Sequence, residues 1–370
     1  MKKLLILISL AVISALFVAC GGDDDNGGAS AATTTAGSAT PANTGPTATP
    51  TDFPDSGPVT LHLGYLANIT HAPALVGLNN GIFQQELGSE VAIDSKSFNA
   101  GPDIITALFA GDIDAAYIGP SPAINGYVQS DGNDVRIISG AVSGGAFLVV
   151  QPDIKSAADL ANKKIATPQL GNTQDVALRT WLLANNLGAV ESGGNVTVVP
   201  TANADALNAF KNKQIDGAWE PEPWATRMVQ EGGGHVLVNE KDLWPNGQFS
   251  TTVLIARTGF LKDHPDVIER LVRANIKTTQ YIQQNPDQAK TIANQALNTI
   301  TGKPLSDAVI NAAWPNITPT FDPLKSAVET AADNAYKLGF LQDKPDLKSL
   351  FDLDILNRVL AQEGLPAVVD

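Results

Sequence analysis

Two stretches of this chain share one local design. Residues 107–122 read ALFAGDIDAAYIGPSP, and residues 206–223 read ALNAFKNKQIDGAWEPEP. Each holds the end of a helix, an Ile-Asp pair, and a short strand closing on an aromatic residue, Tyr117 or Trp219. A Pro-x-Pro turn then opens the next helix, where proline's missing N–H costs nothing. Such a unit must bury its strand in a sheet. Two copies are too few for a stacked solenoid, so the echo predicts two lobes of similar topology. Strand patterns at 59–66, 91–98, 115–118, 135–141 and 147–150 alternate with helical ones. A second set follows at 164–166, 196–199, 218–219, 236–238 and 252–256. This alternation is the mark of an α/β fold. After Phe260 the pattern is mostly helical, with breaks at Asn285-Pro286, Lys303-Pro304 and Phe321-Asp322-Pro323. Open α/β sheets bind ligands beyond the C-terminal ends of their strands. The expected site is therefore a cleft between the lobes, walled by strand ends and helix starts.

The N-terminus predicts where this body works. Lys2 and Lys3 precede an uncharged, mostly apolar run from Leu4 to Ala19, interrupted only by Ser9 and Ser14. That run is shorter than the roughly 20 residues that span a bilayer as a helix, and it reads as an export signal. Phe17-Val18-Ala19-Cys20 resembles a bacterial lipobox, which implies a lipid on Cys20 and cleavage just before it. Cys20 is the only cysteine, so an intrachain disulfide or a multi-thiolate site is excluded. Residues 21–58 are mostly small and polar and are expected to be a disordered tether. Without Lys2 and Lys3 the chain has 22 basic against 38 acidic side chains, a formal charge of −16. With no basic cluster, nucleic acid is not an expected partner.

Candidate ligand contacts concentrate at helix starts. Asn172 is a good N-cap, and Asp175 is placed to complete a capping box. A helix start offers unpaired N–H groups and partial positive charge, so Asn172 and Thr173 open either an anion cradle or a helix that is merely capped. Similar small polar starts occur at Asn99-Ala100-Gly101-Pro102 and Gly119-Pro120-Ser121-Pro122. Asn99, Gly101 and Ser121 are thus candidates to face Asn172 and Thr173 across the cleft. Arg179 is an alternative charge partner, though two turns into its helix it suits an inter-helix role. His71 can donate to a ligand or simply pack. Ser143, before Gly144-Gly145, can approach a ligand or mark a hinge. Trp219 and Glu220 end a strand and can line the cleft. Trp224 can line the cleft too or pack in the core, and Glu222 can face a ligand in place of Glu220 or serve as a helix N-terminal charge.

No HExxH, Gly-x-Ser-x-Gly, Walker or dinucleotide glycine motif is present, and His62, His71, His235 and His264 lack metal-ligand spacing. Neither a cofactor nor a metal is expected. The segments His71-Ala72-Pro73-Ala74-Leu75, Gly111-Asp112-Ile113-Asp114 and Gly119-Pro120-Ser121-Pro122 resemble the nitrate/sulfonate/taurine-type substrate-binding proteins of ABC importers. So do Asp159-Leu160-Ala161-Asn162-Lys163-Lys164-Ile165-Ala166, Gly171-Asn172-Thr173-Gln174 and Gln214-Ile215-Asp216-Gly217-Ala218-Trp219-Glu220-Pro221. The resemblance implies a two-lobed periplasmic-binding-protein-like α/β fold of type II, with the ligand in the cleft between lobes. Beyond the signal peptide over 1–19 and the lipidated tether over 20–58 read from the N-terminus, it implies a discontinuous lobe 1 over 59–147 and 251–370, and lobe 2 over 148–250. It further implies an oxyanion held by Asn99, Ser121, Ser143, Asn172 and Thr173. The expected protein is a lipid-anchored, extracytoplasmic monomer, not an enzyme. It would pass a small oxyanion, an aliphatic sulfonate ahead of nitrate or taurine, to a permease with its ATPase. In the alternative, Tyr117 and Trp219 stack on a neutral heterocycle such as a thiamine-precursor pyrimidine. An enzyme like the related iron- and histidine-using pyrimidine synthases is remote, because their cysteine-rich motif is missing.

Overall fold

The structure is a computed structural model that describes residues 49–369. The signal, the lipobox, Cys20 and the tether up to residue 48 lie outside the described residues. The strands are Val59–Leu66 (β1), Val91–Phe98 (β2), Ala115–Ile118 (β3), Val135–Gly144 (β4), Ala146–Val150 (β5) and Lys164–Thr167 (β6). They continue with Thr197–Pro200 (β7), Gly217–Pro221 (β8), His235–Asn239 (β9), Ser250–Arg257 (β10) and Ile317–Pro319 (β11). Only the three-residue β11 was without a sequence signal.

The strands form two sheets, in the orders β11-β4-β10-β3-β1-β2 and β7-β6-β8-β5-β9. In the first, β1 pairs in parallel with β2 and β3, while β10 runs antiparallel to β3 and β4. In the second, β6 pairs in parallel with β7 and β8, while β5 runs antiparallel to β8 and β9. The sheets thus repeat one plan in a two-lobed fold, and the echoed strands β3 and β8 occupy equivalent places. Each sits between the opening parallel strand of its sheet and the antiparallel strand that enters from the other lobe.

The echoed aspartates explain part of the repetition. Asp114 accepts the backbone N–H of His62 in β1 at 3.1 Å, and Asp216 accepts that of Lys164 in β6 at 2.8 Å. Each carboxylate pins the start of its strand to the neighbouring parallel strand. The Asp of the motif is therefore architectural.

Among the described residues lobe 1 contains the largest apolar core, a cluster that includes Leu61, Leu63, Ile118 and Leu254 of the sheet and Ile268, Leu271 and Val272 of the helix Pro265–Gln284. The second sheet has a core on each face: Trp219 points into one with Leu178 and Leu182, and Ala218 into the other with Phe210 and Met228. The chain crosses between sheets at Gly144-Gly145, whose φ angles are +81° and +76°, where glycine is free of Cβ strain. The boundary expected between residues 147 and 148 thus falls inside β5. The tether was expected to reach residue 58, yet its last part is held by the body. Thr49 donates its N–H to Glu86 O at 3.2 Å and its hydroxyl to Glu86 Oε2 at 2.7 Å. The Ser56 N–H donates to Asp266 Oδ2 at 3.1 Å. Composition marked the segment as unable to form its own core, but a short polar segment needs only partners on a neighbour.

Candidate functional site

Four helix starts meet where the two lobes face each other. Lobe 1 contributes Ala72–Asn79, Gly101–Ala110 and Pro120–Gln129, and lobe 2 contributes Thr173–Ala184. Between them lies a cavity of about 30 Å³, where a single water needs roughly 10–15 Å³. His71, Gly101, Gly119, Asn172 and Thr173 line it from these starts, with Pro122 and Gln174 just inside them. Leu66, Asn68, Thr70, Pro221 and Thr251 complete the wall. No lining residue is an Asp, Glu, Lys or Arg, and none carries a Phe, Tyr or Trp ring. Each helix start brings partial positive charge from its dipole. Pro73, Pro102, Pro120 and Pro122 carry no N–H and the Ala72 N–H is bound to Ile69 O, so free first-turn N–H donors come chiefly from the start at Thr173. The cavity is thus electropositive without a cation, which suits an oxyanion.

Local chemistry sets each donor. Asn172 caps its helix by accepting the Asp175 N–H at 2.9 Å. The other half of the expected capping box is absent. The Asp175 carboxylate instead accepts the Thr167 hydroxyl at 2.9 Å, the Gly171 N–H at 3.0 Å and Arg179 Nε at 2.9 Å. Arg179 also binds Glu191, so it braces the helix and leaves the ligand to neutral groups. The Thr173 hydroxyl is buried and has no hydrogen-bond partner among the described residues. Its place is tight, because a Cβ added to Gly119 would stand 2.3 Å from Thr173 Oγ1. That contact joins the lobes. His71 is buried, and desolvation pushes its pKa down to about 3. Its Nδ1 accepts the Leu66 N–H at 3.3 Å, so the neutral ring carries its proton on Nε2 and acts as a donor.

Of the residues singled out from the sequence, His71, Gly101, Asn172 and Thr173 come together here. Asn99 is exposed and outside the wall. The Ser121 hydroxyl is buried and unpartnered among the described residues, but Gly119 and Pro122 form the wall on either side of it. Ser143 is buried away from the cavity, with its Oγ accepting the Phe249 N–H at 3.4 Å. Trp219 is a core residue whose Nε1 donates to Glu240 at 2.7 Å, because the strand's alternation turns it inward. Glu220 is fully buried in lobe 2 and also off the wall, and burial pushes its carboxyl well above the usual range. Glu222 accepts from Thr226 and, across the lobes, from Asn316 Nδ2 at 2.7 Å. Tyr117 is buried and donates to Asn275 at 2.9 Å. Neither aromatic proposed for stacking can therefore reach a ligand in this cavity. Sequence reading missed Asn68, Thr70, Gln174 and Thr251. Thr70 and Gln174 adjoin residues that were chosen, whereas Asn68 and Thr251 carry no local signal.

The model of the NMT1-like family matches residues 55–297, about two thirds of the chain. The chain belongs to the NMT1-like family. Among its relatives is the taurine-binding periplasmic protein of Escherichia coli strain K12, 27% identical over 218 residues. That alignment covers 58% of this chain and 64% of the relative, so the chain spans just under two thirds of that protein's length. Its fold is that of the alkanesulfonate-binding protein of Xanthomonas axonopodis pv. citri, solved bound to MOPS. The TM-score is 0.67 at 18% identity, over 80% of this chain and 99% of that one. The periplasmic nitrate-binding protein of Synechocystis PCC 6803 superposes with a TM-score of 0.71 at 16% identity, over 84% of this chain and 91% of the other. The resemblance read from the sequence and the two-lobed α/β fold class therefore both stand for this family member.

Proposed function

We propose that this protein is a solute-binding protein, not an enzyme, and that it captures a small oxyanion for an ABC import permease and its ATPase. The single observation that carries this is the 30 Å³ cavity, walled by four helix starts and free of charged side chains. First-turn N–H groups, the Thr173 hydroxyl and neutral His71 supply donors, with Asn172 fixing the helix end. The cavity fits the head of an anion in the closed arrangement. An aliphatic sulfonate or nitrate suits it better than taurine, whose ammonium finds no carboxylate on the wall. Lobe 1, with the segments near 59–147 and 251–370, and lobe 2, near 148–250, hinge at the crossings to admit and enclose the ligand. The signal-like N-terminus and lone Cys20 support a lipid-anchored, extracytoplasmic protein.

The test is a thermal-shift screen of the purified protein against methanesulfonate, longer alkanesulfonates, nitrate, taurine and pyrimidines, followed by titration calorimetry. A ligand at 100 times its dissociation constant stabilises the fold by about 2.7 kcal/mol. Stabilisation by a pyrimidine and by no oxyanion would overturn the reading.

A further inference from the structure

The space between the lobes has a second compartment. A groove of about 410 Å³ is lined by Ala67, Trp224, Leu297 and Leu305, with Arg227 and Lys303 at its wall. It adjoins the small cavity: Ala67 and Pro223 belong to the groove, Asn68 and Pro221 to the cavity. The half-buried indole of Trp224 stands at this partition. Its Nε1–H reaches from lobe 2 to Asn68 Oδ1 of lobe 1 at 2.7 Å. Arg227 backs the ring from 4.8 Å and is itself held by Glu231 at 2.8 Å.

The same N–H has an acceptor in its own lobe. Turning the Asn203 amide so that its nitrogen donates to Glu220 Oε2 at 3.2 Å brings its oxygen within 3.1 Å of Trp224 Nε1. That orientation satisfies both ends of the Asn203 amide. Trp224 therefore has one donor and two acceptors, one on each side of the cleft. When the lobes part, Asn68 leaves with lobe 1 and Asn203 stays beside the indole. When they close, Asn68 accepts the indole N–H, which leaves its own NH₂ as the amide's free donor end on the cavity wall.

We infer that Trp224 is a gate that sets how long a tail the bound anion can carry. The inference rests on the oxyanion reading. With the indole on Asn68, the cavity takes a bare or short-tailed anion. A longer alkyl chain must displace the indole to reach the groove, where Leu297 and Leu305 offer apolar surface.

Titration calorimetry with nitrate, methanesulfonate and hexanesulfonate, on wild type, Trp224→Ala and Trp224→Phe, tests the gate. Wild type should favour methanesulfonate over hexanesulfonate. Trp224→Ala should shift that ratio toward hexanesulfonate by about tenfold or more, because the chain gains apolar burial without displacing a ring. Trp224→Phe keeps a ring without the N–H, so the ratio should hold while all three anions weaken severalfold. Should Trp224→Ala be unfolded, Trp224→Leu lowers the same wall and carries the same comparison. An unchanged ratio in the folded Ala or Leu variant overturns the gate and leaves the oxyanion reading intact. If wild type binds none of the three anions, the oxyanion reading fails and the gate with it.

Discussion

Gly119→Ala is the sharpest test of closure across the cavity. Gly119 has φ −67° and ψ 150°, ordinary extended backbone that alanine adopts without strain. The new methyl would meet Thr173 Oγ1 at 2.3 Å and Thr173 Cβ at 3.4 Å, with Pro122 Cδ at 3.6 Å. Only the first contact is prohibitive, and it lies across the lobes. Thr173 can relieve it by rotating its hydroxyl away, or the lobes can stay about 1 Å further apart. Either response removes a donor from the anion or opens the cavity. Overpacking of this kind costs about 1–3 kcal/mol, which predicts affinity weakened about five- to 150-fold. Ligand-free stability should be unchanged to within about 0.5 kcal/mol, because lobe 1 alone tolerates the methyl. Calorimetry gives the affinity, urea unfolding the stability and small-angle scattering the degree of closure. Thr173→Ala in the same chain removes the clashing oxygen. The double variant should therefore lose less than the sum of the two single losses. Wild-type affinity in Gly119→Ala, with normal compaction on binding, would refute the closure described here.

Two buried groups should tilt stability with pH in opposite directions. His71, with its folded pKa near 3 against an ordinary 6.5, contributes stability present above pH 6.5 and lost as pH falls toward 3, at about 1.4 kcal/mol per unit. Glu240, raised by burial from 4.5 to about 7, contributes stability present below pH 4.5 and lost as pH rises toward 7. Urea titrations should thus show His71→Asn losing stability with rising pH from 4.5 to 6.5, and Glu240→Gln gaining it. Equal slopes in both variants would contradict the pair. Arg179→Met strips the partner from buried Asp175 and should cost about 3 kcal/mol in urea unfolding; a change under about 0.5 kcal/mol would show that the Thr167 and Gly171 contacts suffice. Cys20→Ser should abolish incorporation of labelled fatty acid, and continued labelling would refute the lipobox reading.

Much of the fold was legible because its signals are local. Strand limits at 59–66, 91–98 and 115–118 agree with the structure residue for residue, since turns and apolar alternation bound them without help from distant residues. The echo carried the two-lobed plan, because a helix–strand–helix unit with a pinning Asp has few ways to join a sheet. Helix starts were legible for the same reason: Gly101, Asn172 and Thr173 mark the backbone change that opens a helix, and those openings face the cavity. His71 was marked by the turn it occupies. What only the tertiary structure decided is direction and neighbourhood across the chain. Trp219 and Glu220 were read as a strand end, and sequence could not say that β8 would run on to Pro221 and bury both within lobe 2. Asn68 and Thr251 are separated by about half of the chain and meet only because β1 and β10 join the same sheet on either side of β3. Nor could local pattern reveal that Asn99 would turn to solvent while Gly101, two residues on, turned to the cavity. Periodicity sets which side of an element is apolar. Packing of one lobe against the other decides which polar groups lose water together, and that shared burial makes them a site.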